Sequence, residues 1–300
     1  MSPAKVILIT GANRGIGLAI AQRLADEPYP VHIYASSRSA SSVNIEPKNA
    51  QSHIFFPALD IDDASSIQAL VEIIRAREGR LDILVNNAAS LGEIGDAVSQ
   101  HVKPVNVNYT GTKNLSVALL PLLRIAGQGS RIVNVTAGNS LLEWYSPEIR
   151  GIFLKPDLSL SELDSLTEKF LVAATMDKLQ DFGFNCPSYT GYAFSKACVN
   201  ALTGILARMG ASEGIVANCC CPGWTDTRIG RAGGKAPKTP AEGAVIPVRL
   251  AVGDIGQVTG CYWSNPSIMD TEDGQLQEWS SLTLAGMHRP ASKPKASSTP

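Results

Sequence analysis

The chain has 300 residues, 44% of them hydrophobic, 18% charged and 6% aromatic, which excludes a mostly disordered chain, a coiled coil and a collagen-like repeat. Lys and Arg number 26 against 27 Asp and Glu, a net charge of −1, so there is no electrostatic footprint for nucleic acid or an anionic membrane. The apolar run 117–123, broken by Pro121, falls far short of the ~20 residues of a membrane span; the opening MSPAKVILIT lacks signal-peptide form, and six cysteines, three of them consecutive, make no disulfide framework.

A cytoplasmic protein is therefore expected. In chain order, a buried strand is read at 6–9, then a glycine-rich turn and a helix from about 16 to 25. Strands follow at 31–35 and 53–59, a helix at 64–77 with Ile67, Leu70, Val71 and Ile74 on one face, and a strand at 81–85. A long helix at 107–123, a strand at 131–135, a helix at 192–209 and a strand at 215–220 complete the series. Alternating strands and helices predict a doubly wound α/β domain on a parallel sheet covered on both faces. The domain is read over 1–264, with a helical insertion at about 141–187. Residues 265–300 are read as an extension whose end, 291–300, is low-complexity and expected to be disordered.

Thr10-Gly11-Ala12-Asn13-Arg14-Gly15-Ile16-Gly17 joins the first strand to the first helix. Its glycines permit a tight turn and close backbone approach, and the helix start offers free N–H groups to a pyrophosphate. The spacing is G-x-x-x-G-x-G, not the common G-x-G-x-x-G. An NAD site places an acidic residue about 20 residues on, at the ribose 2′-hydroxyl. Here the second strand runs out through Ala35-Ser36-Ser37-Arg38, with no carboxylate until Glu46. Arg38, with Arg14, suits a 2′-phosphate, because the guanidinium fork matches phosphate geometry. NADPH/NADP+ is the expected cofactor.

Tyr192 and Lys196 stand at i and i+4, on one face of a helix. A phenol with a pKa near ~10 is a poor acid–base group at neutral pH, and a neighbouring ammonium shifts it toward use. Tyr192 then serves as the acid for a carbonyl oxygen as hydride arrives, or as the base in reverse. The four histidines are scattered without metal-ligand spacing.

The turn, Asn86-Asn87-Ala88-Ala89, Asn108, the Tyr192/Lys196 pair and Pro222-Gly223-Trp224-Thr225-Asp226-Thr227 occur together and in order. This set resembles the short-chain dehydrogenase/reductase superfamily, a Rossmann-fold family, and is most similar to its NADPH-dependent carbonyl reductase branch. The resemblance implies that Gly11, Asn13, Arg14, Gly15, Ile16 and Gly17 surround the pyrophosphate and adenosine ribose. Asp60, followed by Ile61, meets the adenine, although Asp60 also suits a helix N-cap. Asn87 contacts a ribose. Asn108 bends its helix and holds a water of a proton relay. Lys196 binds the nicotinamide ribose and lowers the pKa of Tyr192, and Pro222, Gly223, Thr225 and Thr227 hold the carboxamide. The insertion implies a monomer, because such a segment removes the helix interface that builds tetramers. The substrate implied is a small ketone, aldehyde or quinone.

The sequence departs from the family at one position. The catalytic serine is the second hydroxyl residue after the fifth strand, and here Asn134-Val135-Thr136-Ala137-Gly138-Asn139-Ser140 puts Ala137 there. Three readings follow. Thr136, Asn139 or Ser140 replaces the serine, with Ser140 entered among the candidate catalytic residues. Alternatively, Tyr192 acts alone on an activated iminium or conjugated substrate. Or the scaffold performs redox-neutral work such as cyclisation or cofactor-sensing. Trp144, Tyr145, Phe153, Leu154 and Met176 are further candidates for an aromatic substrate wall, with core packing as the other reading, and Cys221 for a modifiable thiol or an inert core residue.

Overall fold

The computed structural model describes residues 3–93 and 96–288; the expected disordered end at 291–300 lies outside them. Eight strands form one sheet: β1 (Lys5–Thr10), β2 (Val31–Ser36), β3 (His53–Phe55), β4 (Ile83–Asn86), β5 (Arg131–Val135), β6 (Val216–Cys220), β7 (Tyr262–Ser264) and β8 (Gln275–Gln277). Their order is β3-β2-β1-β4-β5-β6-β7-β8, parallel throughout except for the antiparallel edge strand β8. The order reverses between β1 and β4, which opens a crevice at their carboxyl ends.

Both faces of the sheet are buried, and β1 shows how. Val6 and Leu8 face one core and Ile7 and Ile9 the other, as side-chain alternation requires. The first core is closed by α2 (Ala64–Glu78), α4 (Thr112–Ala126) and α7 (Thr190–Met209); the second by α1 (Gly15–Ala25) and, near the C-terminus, the helix Val245–Val252. None of the helices among the described residues is long and apolar enough to cross a membrane.

Three boundaries differ from the sequence reading. The strand expected over 53–59 ends at Phe55, because Pro57 has no N–H for a ladder; one isolated bridge, Ser37 to Ala58, continues the pairing. The helix expected to begin at 107 starts earlier, as α3 (Ala97–Pro104), and passes through a π-helical stretch, Val105–Gly111, before α4. Asp60 is not the N-cap of α2; Asp63 is, accepting from the Ser65 N–H at 2.8 Å.

The insertion carries α5 (Pro147–Phe153) and α6 (Leu160–Thr175), the second started by a reciprocal Ser159/Glu162 cap. Both pack against α7. Phe170 stacks on Phe194 at 4.1 Å between ring centres and 7° between planes, and Phe184 meets both edge-on. Such a pair contributes about 0.5–1.5 kcal/mol beyond its area. Tyr145 and Phe153 belong to this aromatic core, while Leu154 and Met176 are 43% and 49% exposed. The proposed substrate wall of these four is therefore core and outer surface.

The extension from 265 is packed against the domain as far as 288. It supplies β8, and Met287 is buried in a cluster with Leu141, Cys219, Cys221, Tyr262 and Ile268. Trp279 Nε1 donates to the Ser140 carbonyl at 2.8 Å. The boundary drawn at 264 thus cuts through packed structure.

Candidate active site

The glycine turn lies at the carboxyl end of β1. Gly11 and Gly15 hold left-handed φ angles of +65° and +57°, which other residues rarely adopt. A Cβ on Gly17 would sit 2.3 Å from the Gly11 carbonyl oxygen and 2.5 Å from Asn87 Nδ2. The turn is held from below. Thr10 Oγ1 accepts the N–H groups of Asn87 and Ala88, both at 2.9 Å. Asn87 Nδ2 donates to the carbonyls of Thr10 and Gly11 at 2.8 and 3.2 Å. Asn87 therefore shapes the turn with its amide nitrogen and leaves only its oxygen for a ribose.

The turn reaches β2 through the Ala12 N–H, which donates to the Ser36 carbonyl at 2.9 Å. Arg38 follows two residues later. Arg14 and Arg38 are both exposed, and neither forms an ion pair among the described residues. The first turn of α1 has no acidic residue. A helix start with open N–H groups, a cradle that admits no side chain at Gly17 and two unpaired guanidiniums fit a dinucleotide with an extra phosphate. Asn13 and Ile16 are half-buried in the same turn. On the far side Asp60 is half-buried, and its Oδ1 accepts from the Asp62 N–H. Ile61 is a core residue against Gly111, 5% exposed, so an adenine contact there falls to its main chain.

Lys196 is 4% exposed and its Nζ donates to the Val135 carbonyl at 2.7 Å, which pins α7 to the end of β5. Nζ lies 5.8 Å from the Tyr192 ring centre. Burial pushes the Lys196 ammonium down to about 8, with Cys220 and Cys221 opposing this. Burial likewise pushes the Tyr192 phenol up, with a smaller push from Cys221, so it is held protonated. Both shifts have the sign expected for charges drawn out of water.

Asn108 is 1% exposed inside the π-helical stretch, a local geometry that recurs at functional sites. Its Nδ2 donates to the Ser90 carbonyl and to Ser195 Oγ, both at 2.9 Å, and its Oδ1 accepts the Ser90 N–H at 2.7 Å. Ser195 Oγ in turn donates to the Tyr192 carbonyl at 2.7 Å. Both N–H donors of the amide are engaged in tying the loop after β4 to α7, and Oδ1 keeps one lone pair.

The loop after β6 is also braced. Gly223 has φ +81°, and a Cβ there would lie 2.6 Å from the Ile268 carbonyl oxygen and 2.7 Å from Lys238 Nζ. Lys238, 2% exposed, donates to the Asp270 carbonyl at 2.6 Å. Thr225 is buried with its hydroxyl toward the Gly223 carbonyl at 3.2 Å. Thr227 Oγ1 accepts the Gly230 N–H at 3.0 Å, and a Cβ on Gly15 would lie 3.3 Å from its methyl. Thr227 thus borders the glycine turn at Gly15, and Pro222 is buried. Cys221 is buried and its thiol is pushed up by burial, the inert reading of that residue.

Neither of the hydroxyls beside Ala137 is free. Thr136 is 3% exposed and turns its Oγ1 to the Cys220 carbonyl at 3.3 Å. Ser140 is fully buried; it donates to the Ala137 carbonyl and accepts from Asn200 Nδ2, both at 2.8 Å. A catalytic role for Ser140 meets a physical obstacle, since its hydroxyl would have to give up two buried hydrogen bonds. Ser195, Asn200 and Lys238 are supporting residues that sequence reading passed over, and Thr10 enters that reading only as the first residue of the glycine turn. Only the hydroxyl between Tyr192 and Lys196, on the wrong face of the Y-x-x-x-K pair, carried a local signal.

Comparison with known proteins shows what the chain is similar to. Residues 5–147 match the family model for short chain dehydrogenases, and 180–262 match that for enoyl-(acyl carrier protein) reductase. The stretch left between them contains α6 and all but the first residue of α5. Carbonyl reductase [NADPH] 1 of Sus scrofa is 35% identical over 263 residues, covering 84% of this chain and 88% of that protein. Among solved structures, salutaridine reductase of Papaver somniferum has a TM-score of 0.74 at 24% identity, covering 86% of this chain and 99% of that one. Menthone neomenthol reductase of Mentha piperita has a TM-score of 0.71 at 25% identity, covering 87% and 98%.

Proposed function

The chain belongs to the short-chain dehydrogenase/reductase family, in its carbonyl reductase-like branch, and on that premise we propose that it reduces a ketone, aldehyde or quinone with NADPH, using Tyr192 as the acid. It is a nicotinamide-dependent oxidoreductase of this family. The observation that carries the proposal is the pairing of Tyr192 with a buried Lys196 whose Nζ lies 5.8 Å from its ring centre and is pinned to the end of β5, in a chain whose first strand-to-helix turn suits a dinucleotide.

Bound NADPH supplies the hydride. Tyr192 gives its proton to the substrate oxygen as the carbon is reduced. Lys196, with Nζ 5.8 Å from the Tyr192 ring centre, does not lower the phenol pKa in the structure; with cofactor bound, its ammonium would favour the phenolate left behind. The glycine turn binds the pyrophosphate, Arg14 and Arg38 take the 2′-phosphate, Thr227 and Pro222 border the carboxamide, and Asn108 fixes the Tyr192 end of α7. Ala137 supports a second reading, in which the substrate is an activated iminium or conjugated carbonyl that needs less help at its oxygen. NADPH consumption over a panel of ketones, quinones, aldehydes and imines tests both. Turnover of plain carbonyls supports the first, turnover confined to imines supports the second, and tight NADPH binding with no turnover at all removes both.

Lys196 adds a pH prediction. A lysine is charged below its pKa, so with a value of about 8 the ammonium is present at pH 7 and is lost as the pH rises through 8. kcat/KM for reduction is expected to fall above that point by about tenfold per pH unit. Lys196→Arg, which keeps its charge, should move this alkaline limb upward. A limb unmoved by that substitution assigns it to another group.

The protein is further proposed to be a monomer, because α5 and α6 cover part of α7. Light scattering should return a mass near 31.8 kDa; a species of four times that mass would refute the arrangement.

A further inference from the structure

We propose that Asn139 donates its side-chain amide to the substrate's carbonyl oxygen and so performs the task of the serine that Ala137 lacks. This rests on the reductase reading above and deepens it. A carbonyl oxygen gaining negative charge is stabilised by donors aimed at it, and the loss of one such donor costs about 10²- to 10³-fold in rate. The loop after β5 is the place for that donor, and it is anchored to the catalytic helix at both ends. Val135 receives Lys196 Nζ at 2.7 Å, and Ser140 receives Asn200 Nδ2 at 2.8 Å. Residues 136–139 therefore run along α7 between Lys196 and Asn200, which lie one helical turn apart.

Within that stretch the donors separate cleanly. Thr136 is engaged with the Cys220 carbonyl, and Ser140 with the Ala137 carbonyl. Ala137 and Gly138 have no polar side chain. Asn139 is half-buried, and its amide has no hydrogen-bond partner among the described residues. An amide offers two N–H donors on a longer arm than serine, which suits a position two residues beyond the missing hydroxyl. A half-buried amide left without a protein partner is available to a ligand at no cost to the fold. Asn139 takes no part in proton transfer: the proton still comes from Tyr192 and the hydride from the cofactor, and Asn139 contributes a hydrogen bond alone.

The test compares Asn139→Ala, Ala137→Ser/Asn139→Ala and Tyr192→Phe with the natural enzyme, on a carbonyl that the natural enzyme reduces. Asn139→Ala is expected to lose about 10²- to 10³-fold in kcat/KM, mostly in kcat, with its NADPH dissociation constant and melting temperature unchanged. Restoring the serine in the double variant should recover most of that loss, which a merely structural role for Asn139 would not allow. Asn139→Ala with full activity beside an inactive Tyr192→Phe overturns the Asn139 proposal and leaves the reductase reading standing. A loss that Ala137→Ser does not repair also overturns it. A natural enzyme that reduces no carbonyl in the panel, while binding NADPH, overturns the reductase reading itself.

Discussion

Tyr192→Phe is expected to lower kcat/KM for carbonyl reduction by about 10²- to 10⁴-fold, the usual contribution of a positioned acid. The substitution removes one oxygen and little else. The ring stays in its place on α7, where Tyr192 is 9% exposed. No hydrogen bond contributes to the raised phenol pKa, only burial and the nearby Cys221. Removing the hydroxyl therefore leaves no buried partner unsatisfied, and the melting temperature should hold. NADPH binding, followed by fluorescence titration, should also hold, since the glycine turn and the two arginines are remote in sequence and unaltered. A variant that turns over at the natural rate would take Tyr192 out of the chemistry.

Replacing Arg38 with Ala should raise the KM for NADPH by about 10- to 100-fold, the equivalent of one charge-assisted hydrogen bond worth about 1.5–3 kcal/mol. KM for NADH should barely move, because the 2′-phosphate is the group that distinguishes the two cofactors. Arg38→Asp should go further and favour NADH, since it supplies a carboxylate that accepts the hydrogen bond a ribose 2′-hydroxyl donates. The structural ground is that Arg38 follows the end of β2, exposed and without an ion pair among the described residues, and that the glycine turn is bonded to β2 at Ser36. Kinetics with both cofactors read this directly. Equal losses with NADPH and NADH would mean that Arg38 supports the turn and not the phosphate.

Much of the fold was legible because it depends on local patterns. The six expected strands are present, since β1, β2, β4, β5 and β6 are runs buried on both faces and the turn at Gly11–Gly17 has a strand before it and a helix after it. What was not legible depends on contacts distant in sequence. β7 and β8 are three residues each, too short for a periodic signal, and β8 pairs only because β7 is already in place. The π-helical stretch at Val105–Gly111 has no composition of its own; it presses Gly111 to within reach of the Ile61 carbonyl, where a Cβ would lie 2.5 Å away. Residues 265–288 read as an extension outside the domain, yet Trp279 and Met287 close a core that includes Leu141 and Cys221.

The site divides in the same way. Residues proposed to meet a ligand stood out by type and spacing, as with Gly17, Tyr192 and Lys196. Residues that hold them did not. Thr10 organises the loop after β4 through two main-chain N–H groups, and Asn200 holds Ser140 from two turns beyond Tyr192. Lys238 supports the Gly223 loop from 15 residues downstream by donating to Asp270. In each case the partner is a backbone atom or a distant side chain, which leaves no periodicity to read. The same logic bears on Ser140: as a serine near the end of β5 it qualified by type, and only its two hydrogen bonds reveal that it serves the fold.

The most direct test of hydride transfer follows the hydride itself. NADPH carrying deuterium at its transferable position would be incubated with the enzyme and a reduced ketone's parent compound, and the product examined by mass spectrometry. One deuterium on the former carbonyl carbon, absent from the Tyr192→Phe reaction over the same time, is the expected result. A product without deuterium, or a transformed substrate with the NADPH unconsumed, would contradict the account and place this scaffold in redox-neutral chemistry.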